Sequence, residues 1–467
     1  MKSHPAVTKV LSIVCIVGLL LLALGQISSL ADERQTRFRE AENSVAQSQA
    51  GRQALLGPVL HSRCVEEWDT LSADGWDKKQ TTEKREFLLV ATPRELDVAA
   101  TAMMEPRYRG LFKVNTYATK ATLKAQFAPL ATLRPQREHA GSRISCAAPT
   151  LMVAVSDARG IRQAGVKLAG EALAVSAGTQ HASHPRGFNA VLPEALRNAD
   201  TPHSIEINLE LVGTAALAVA PVAGDTRVKL AANWPHPSFG GRFLPITRDV
   251  RSDGFNATWQ VSSLATKAPV DFTRGAALCE PSSVDAADVP AATRDGGGNC
   301  VESFSVGFID PVNPYSLSDR AIKYGILFIA LTFVGVGMVE VLRRLRVHPM
   351  QYLLVGCALS IFFLLLLSLS EHFAFSLSYA VAAAACVALL SFYGRYLLAG
   401  WVAGLGFGAG IAALYGALYA LLQMEQTALV IGSALLFVVL SAVMVLTREL
   451  DWYALLRSAP KAAQQAG

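Results

Sequence analysis

Five apolar stretches crowd the last third of the chain, a sixth stands alone near its start, and the polar sequence of residues 31–320 lies between them. The stretches cover residues 10–30, 322–342, 352–369, 375–392, 397–422 and 427–446. Each is close to the ~20 residues that a helix needs to cross a hydrocarbon core of ~30 Å. This layout predicts an α-helical membrane bundle, one N-terminal plus five C-terminal transmembrane helices, carrying one large water-exposed insertion. The lipid bilayer is therefore the first partner the sequence names.

Charge orients the chain. Residues 31–320 hold 32 Lys plus Arg and 32 Asp plus Glu, so the insertion is formally neutral and the net +5 belongs to the spans and their flanks. That distribution excludes a basic patch for nucleic acid. The flanking cations are Lys2, Lys9, Lys323, Arg343, Arg344, Arg346, Arg395, Arg448, Arg457 and Lys461. Cationic residues beside a span stay in the cytoplasm. Six crossings from a cytoplasmic start place all of them inside except Lys323, and leave Glu371, His372 and Glu425 in the outer loops. The insertion is then extracytoplasmic. The first stretch also fits a cleaved signal peptide ending near Ser29-Leu30-Ala31, but its apolar run exceeds the 7 to 15 residues of a signal core, which favours an uncleaved anchor.

The resulting division is a cytoplasmic start at 1–9, a span at 10–30, a helical stalk at 31–57, a β-rich domain at 58–320, a five-helix bundle at 321–447 and a cytoplasmic tail at 448–467. The stalk is expected to end at Gly57-Pro58. Beyond it come short alternating or β-branched runs, at 86–91, 111–127, 150–156, 204–212, 226–231, 256–262 and 301–309, punctuated by Gly and Pro. In residues 205–211 the alternation is strict, which buries one face and wets the other. Strands at this spacing predict a β-sandwich-like domain. Residues 310–319, with two prolines, read as a short rigid linker.

Cys64, Cys146, Cys279 and Cys300 are four cysteines in a compartment that permits disulfides, and three pairings are open to them. Cys279 and Cys300 bracket a polar loop holding Gly296-Gly297-Gly298, so that pair is preferred; closing the loop stabilises by about 3 kcal/mol in the chain-entropy picture. No Cys-x-x-Cys accompanies them, and no metal or other cofactor is expected. His181-x-x-His184 reads as a surface loop without an acidic partner.

Two clusters are candidate functional residues. Trp234, His236 and Phe239 lie in a Pro-stiffened segment that is either a ligand-contacting loop or, preferably, aromatic filling for the β domain. Glu371 and His372 follow an apolar run and are either a proton-handling pair or, preferably, a polar latch fixing a loop. Glu340 is expected to be ion-paired or hydrated at the interface. Gly400, Gly404 and Gly408 give the fifth stretch Gly-x-x-x-Gly spacing, which predicts close helix packing in the middle of the bundle. Nucleophile-elbow, phosphate-loop, zinc-protease and dinucleotide motifs are absent, as is a chain of midplane charges that ion-coupled transport would use.

Several strings resemble the CreD family of bacterial inner-membrane proteins: Gln351-Tyr352-Leu353-Leu354-Val355-Gly356, residues 364–372, residues 318–325, the Trp234 to Gly241 cluster, Ser156-Asp157-Ala158-Arg159-Gly160 and Arg107-Tyr108-Arg109-Gly110. The resemblance covers nearly the whole chain, but residues 279–300 are not part of it. It implies an inner-membrane protein with a role in cell-envelope integrity beside a sensor-kinase and response-regulator system, β-lactam, biofilm and colicin phenotypes, and no catalytic residue to carry over. Three functions stand as expectations. The first is a non-catalytic envelope protein binding a periplasmic or envelope protein partner. The second is a transporter or lipid-handling protein. The third, a membrane enzyme, rests only on Glu371-His372 and His236.

Overall fold

The structure is a computed structural model. It describes residues 5–448 except 75–76, 131–133, 195–200, 282–299, 309, 311–313, 343–344, 346, 398–399 and 424–427. Lys2, Arg343, Arg344, Arg346, Glu425, Arg457, Lys461, the Gly296–Gly298 run and part of the 310–319 linker lie outside the described residues. The chain divides into two compact units, Met1–Phe38 with Val312–Gly467, and Arg39–Pro311.

The first unit is helical. Helix α1, Pro5–Ser48, runs unbroken for 44 residues, the part from Arg39 onward counting with the second unit. It stops at Ser48 rather than Gly57, because the next residues are claimed by a sheet: Gln53 to Leu56 pair with Leu217 to Ala220 and are buried. Strand pairing outweighs the local helix propensity of an Ala-Leu-Leu stretch, as tertiary context commonly does. After the second unit come α3, Pro314–Lys323, and α4, Gly325–Leu342, then α5, Pro349–Ser370, α6, Phe375–Leu397, α7, Trp401–Gln423, and α8, Ala428–Thr447. Among the described residues four helices, α1, α5, α6 and α7, are long and apolar enough to cross a membrane, or five if the α3–α4 pair, bent by 41°, is one span. The apolar portion of α8 found there, Gly432–Val445, is shorter. Apolar helices thus occupy the expected stretches, four or five of them long enough to cross; the helix over 322–342 is broken at Tyr324 and its helical course begins earlier, at Pro314.

The glycine spacing acts on one neighbour. A Cβ added at Gly404 meets the Arg395 backbone N at 2.6 Å, and one at Gly408 collides with the Ser391 side chain, so α7 lies directly on α6. Gly400 precedes the helix and faces open space. Along the same helix Ile411, Tyr415, Leu418 and Leu421 are buried, while Val402 and Leu405 near its start are 85% and 61% exposed.

The second unit is strand-rich. One sheet of nine strands contains β1 (Gln53–Asp74), β2 (Asp77–Ala91), β5 (Arg143–Cys146), β6 (Thr150–Val155), β9 (Val175–Ala177), β10 (Gly187–Val191), β12 (Ala216–Ala220), β14 (Pro237–Gly241) and β17 (Phe304–Phe308). Its order is β14-β17-β12-β1-β6-β10-β9, with β2 and β5 also on β1. The other sheet contains β3 (Glu95–Arg109), β4 (Phe112–Phe127), β7 (Ile161–Leu168), β8 (Glu171–Leu173), β11 (His203–Thr214), β13 (Asp225–Ala232), β15 (Thr247–Arg251) and β16 (Gly254–Ser262), in the order β15-β16-β13-β3-β4-β11-β7-β8. The alternating run in β11 buries Ile205, Ile207, Leu209 and Leu211. These join Val98, Leu123 and Trp259 of their own sheet and Leu55, Leu60, Val153 and Val306 of the other in one apolar core. The Trp259 ring stacks on Phe304 across the sheets with centroids 5.2 Å apart. Helix α2, Ala268–Thr273, covers a second, smaller core through Phe272.

The α6–α7 contact makes a paired prediction. Gly404→Val drives a side chain into backbone and is expected to lower stability by about 1–3 kcal/mol, whereas Gly406→Val, where an added Cβ meets nothing within 4 Å, leaves it unchanged. Thermal unfolding of the two variants in the same detergent distinguishes them; equal midpoints would remove this packing assignment.

Candidate functional site

Carboxylates at the ends of the membrane helices are matched by cations of α1. Glu371, just past α5, lies 3.2 Å from Arg34 Nε, with its own side chain 12% exposed. Glu340, near the end of α4, is ion-paired with Lys9, accepts a hydrogen bond from the Tyr352 hydroxyl at 2.9 Å and another from the Val347 N–H at 3.1 Å. Along α1, Lys9 and Arg34 are separated by ~37 Å at 1.5 Å per residue, close to one bilayer core. His372 is exposed, and its N–H donates to the Leu369 carbonyl at 3.1 Å. Glu371 and His372 therefore do not form a buried proton pair. Arg34 is the ion-pair partner of Glu371 that sequence reasoning missed; opposite charges near both ends of the first span were its signal.

Trp234, His236 and Phe239 are divided by the fold. Phe239 sits in β14, an end strand of the first sheet, with its ring edge-on to Phe255 and Trp259 at 5.7 Å from each. Trp234 also packs on the main core, and its indole N–H donates to the His236 carbonyl at 3.1 Å. Only His236 is exposed. Both aromatic rings are half-buried against the core.

The histidines read as a surface loop are buried. His181 and His184 are 8% and 4% exposed, with Nδ1 atoms 3.4 Å apart, and Phe272 of α2 lies 5.1 Å from both rings. His61 of β1 completes the group, 5.8 Å from the His181 ring and 3.0 Å from the Thr179 carbonyl oxygen through Nε2. The loop is drawn inward by the Thr179 hydroxyl, which donates to the His184 carbonyl. Burial pushes all three imidazoles below their ordinary pKa, His181 to about 4 with further lowering from the two neighbouring rings. Among the described residues no three His, Cys, Asp or Glu side chains are grouped to hold a metal.

Two further polar centres escaped the sequence reading. The Glu66 side chain, fully buried, accepts from the Ser142 hydroxyl at 2.6 Å and from the Glu138 and His139 N–H groups at 3.0 and 3.1 Å, with Arg85 Nη2 at 3.1 Å; these hold its pKa down, Ser142 foremost. Asp157 forks onto Arg159, whose guanidinium donates to the Ala46 and Gln47 carbonyls at the end of α1. A cation on the last carbonyls of a helix satisfies them and complements the helix dipole. The four cysteines of the unit form Cys64–Cys146 and Cys279–Cys300.

A profile described as inner membrane protein CreD matches residues 5–453. The chain belongs to the CreD family. Inner membrane protein CreD of Escherichia coli K12 is 33% identical over 470 aligned residues, which cover 100% of this chain and 98% of that one. This CreD-family chain is accordingly an inner-membrane protein with several apolar helices and a large β-rich domain. The strings that resemble the family acquire physical roles here. Residues 364–372 include Glu371 of the Arg34 ion pair, residues 156–160 cap α1, and residues 107–110 lead into the turn of the β3–β4 hairpin.

The histidine cluster links stability to pH. Because the folded pKa values lie below the ~6.5 of an exposed imidazole, the unfolded chain binds more protons, so the stabilisation is complete above about pH 6.5 and is lost as pH falls toward the folded values, for His181 about 4. The melting temperature of the purified protein should fall over that interval, and His181→Gln should flatten the fall. An unchanged slope in the variant would sever the link.

Proposed function

We propose that this chain is a six-span inner-membrane protein with both termini in the cytosol and residues 31–320 in the periplasm as a β-sandwich-like domain. It supports cell-envelope integrity and the envelope-stress response without catalysing a reaction, acting through that domain on a periplasmic or envelope protein partner. The observation that carries the reading is the use of cysteine. All four cysteines of the strand-rich unit are paired, while Cys15, Cys357 and Cys386 of the helices are free, a division that suits an oxidising compartment on one side only. The cationic flanks support the same orientation. For a non-catalytic role, the support is that Glu371, Glu340 and Glu66 are occupied in ion pairs and Phe239 and Trp234 in packing.

One observation favours lipid handling as a second reading. Between α6 and α7 lies a groove of about 390 Å³, lined by Ser376, Tyr379, Ala380, Ala383, Tyr415 and Gly416 among others. Small residues and aromatic walls suit an acyl chain.

Complementation separates the readings in cells lacking the protein, with leakage of a periplasmic enzyme and detergent sensitivity as readouts. The double variant His236→Ala/His372→Ala is expected to restore the envelope fully; a folded but inactive double variant would overturn the non-catalytic reading. Gly416→Leu fills the groove at a position where an added Cβ meets nothing within 4 Å, and its failure alone would shift the assignment to lipid handling. A reporter fused after Gly467 is expected to be active only in the cytosol.

A further inference from the structure

The β3–β4 hairpin runs past both of its neighbours. The last rung from β13 to β3 is Ala232 to Ala102, and the last from β11 to β4 is Thr214 to Thr116. Beyond those rungs the Asn115 carbonyl accepts from the Ala215 N–H at 3.1 Å, and the ladder then continues between β3 and β4 out to Arg109 opposite Phe112. Gly110, at a φ of +61°, allows the two-residue reversal with Leu111. The arm is therefore a convex two-stranded finger. Its foot is fixed by the Met104 N–H, which donates to Asn233 Oδ1 at 2.7 Å.

The chemistry of the tip is mixed in a particular way. Leu111 at the apex is 58% exposed and Tyr108 is 68% exposed. Arg107, Arg109 and Lys113 are exposed around them. Arg107 is neutralised by Glu105 at 3.3 Å, but among the described residues neither Arg109 nor Lys113 has an ion pair. Tyr108 and Lys113 are directly opposed across the two strands. An apolar apex collared by an aromatic ring and unpaired cations matches the cross-section of a bilayer interface, where hydrocarbon lies below a layer of phosphate. A folded protein partner would need a cavity for the finger and acidic groups around it; a bilayer offers both over its whole surface.

We propose that the Tyr108–Lys113 tip docks on the anionic surface of a phospholipid bilayer, Leu111 entering the interface and Arg109 and Lys113 binding lipid phosphates. A few basic residues bind an anionic surface weakly, roughly a few-fold in affinity each. Two such cations and one inserted leucine make a weak, reversible contact. Docking would weaken with salt, because exposed charges are screened beyond ~10 Å at 0.1 M. The proposal goes beyond the envelope reading and does not depend on it.

The test uses the full-length protein with Leu111→p-benzoylphenylalanine, held in nanodiscs of phosphatidylcholine alone or mixed with phosphatidylglycerol, with and without added vesicles of the mixed composition. Illumination is expected to give lipid adducts whenever phosphatidylglycerol is present in disc or vesicle. Their yield should fall about tenfold on adding Arg109→Glu/Lys113→Glu, and Arg109→Lys should retain it. Tip positions touch no core, and an unchanged melting temperature would verify folding of each variant. Absence of lipid adducts in every arm, equal yields with phosphatidylcholine alone, adducts only to a second copy of the chain, or indifference to charge reversal would each overturn the proposal.

Discussion

Strand β1 is the member to which the strand-rich unit is registered. It runs 22 residues and changes partners along its length: parallel to β12 over Gln53 to Leu56, antiparallel to β6 from Leu55 to His61, to β5 from Cys64 to Glu67, and to β2 from Leu60 to Asp74. A strand that serves four neighbours must have its register fixed, because a slip of one residue would turn Leu55 and Leu60 away from the main core. The register shift between Leu56 and Val59 is where the change is made. Gly57 sits there at a φ of +111°, with the Met152 carbonyl 2.9 Å from where a Cβ would stand, so a side chain is excluded on two counts. A bulge of this kind bends a strand and re-aims the residues beyond it. The Cys64–Cys146 bridge holds β1 to β5 immediately past the bend.

Charge serves the same end of fixing position. Glu66, on β1, collects the 138–142 loop through three hydrogen bonds. In the helical unit, Lys9 and Arg34 of α1 each answer one carboxylate of another element. Such pairs specify geometry more than they stabilise, because desolvation cancels much of the attraction; losing one partner is costly since it strands the other charge in a poor solvent. This explains why helices of nearly featureless apolar surface carry a few acidic and basic residues at their ends. Those residues decide which end of α1 meets which loop.

Legibility in the sequence followed the length scale of the interaction. Apolar runs and strict alternation are local and periodic, so the helices of the last third and β11 were readable. The end of α1 was misread because residues 49–57 resemble helix and become strand only when Leu217 to Ala220 arrive from far along the chain. The same cause hid the histidine cluster: His181 and His184 sit among Ser, Ala and Pro, and only His61 and Phe272, both distant in sequence, make their site a buried one. Gly404 and Gly408 were legible as contact points because an absent side chain at helical spacing is itself a local, periodic signal.

The first sheet shows why the histidines and the Cys279–Cys300 bridge belong together. Every residue of Thr150 to Val155 and of Ala216 to Ala220 is buried, which a sheet with one wet face does not permit. Leu55, Leu60, Val153 and Val219 point into the core shared with the other sheet, while Leu56, Val59, Met152 and Ala220 point the opposite way and join Ala268, Phe272, Ala276 and Val301. Helix α2 and its flanks are therefore the lid of a second layer. The lid is short, six residues, and too small to be stable by its own helical hydrogen bonds. It is held instead from both sides: by the bridge, which fixes Cys279 to Cys300 beside the Ala277 contact, and by Phe272 resting on two imidazoles that must remain neutral to be buried. A disulfide and two buried neutral imidazoles thus meet at an element that, among the described residues, helps this sheet bury its second face.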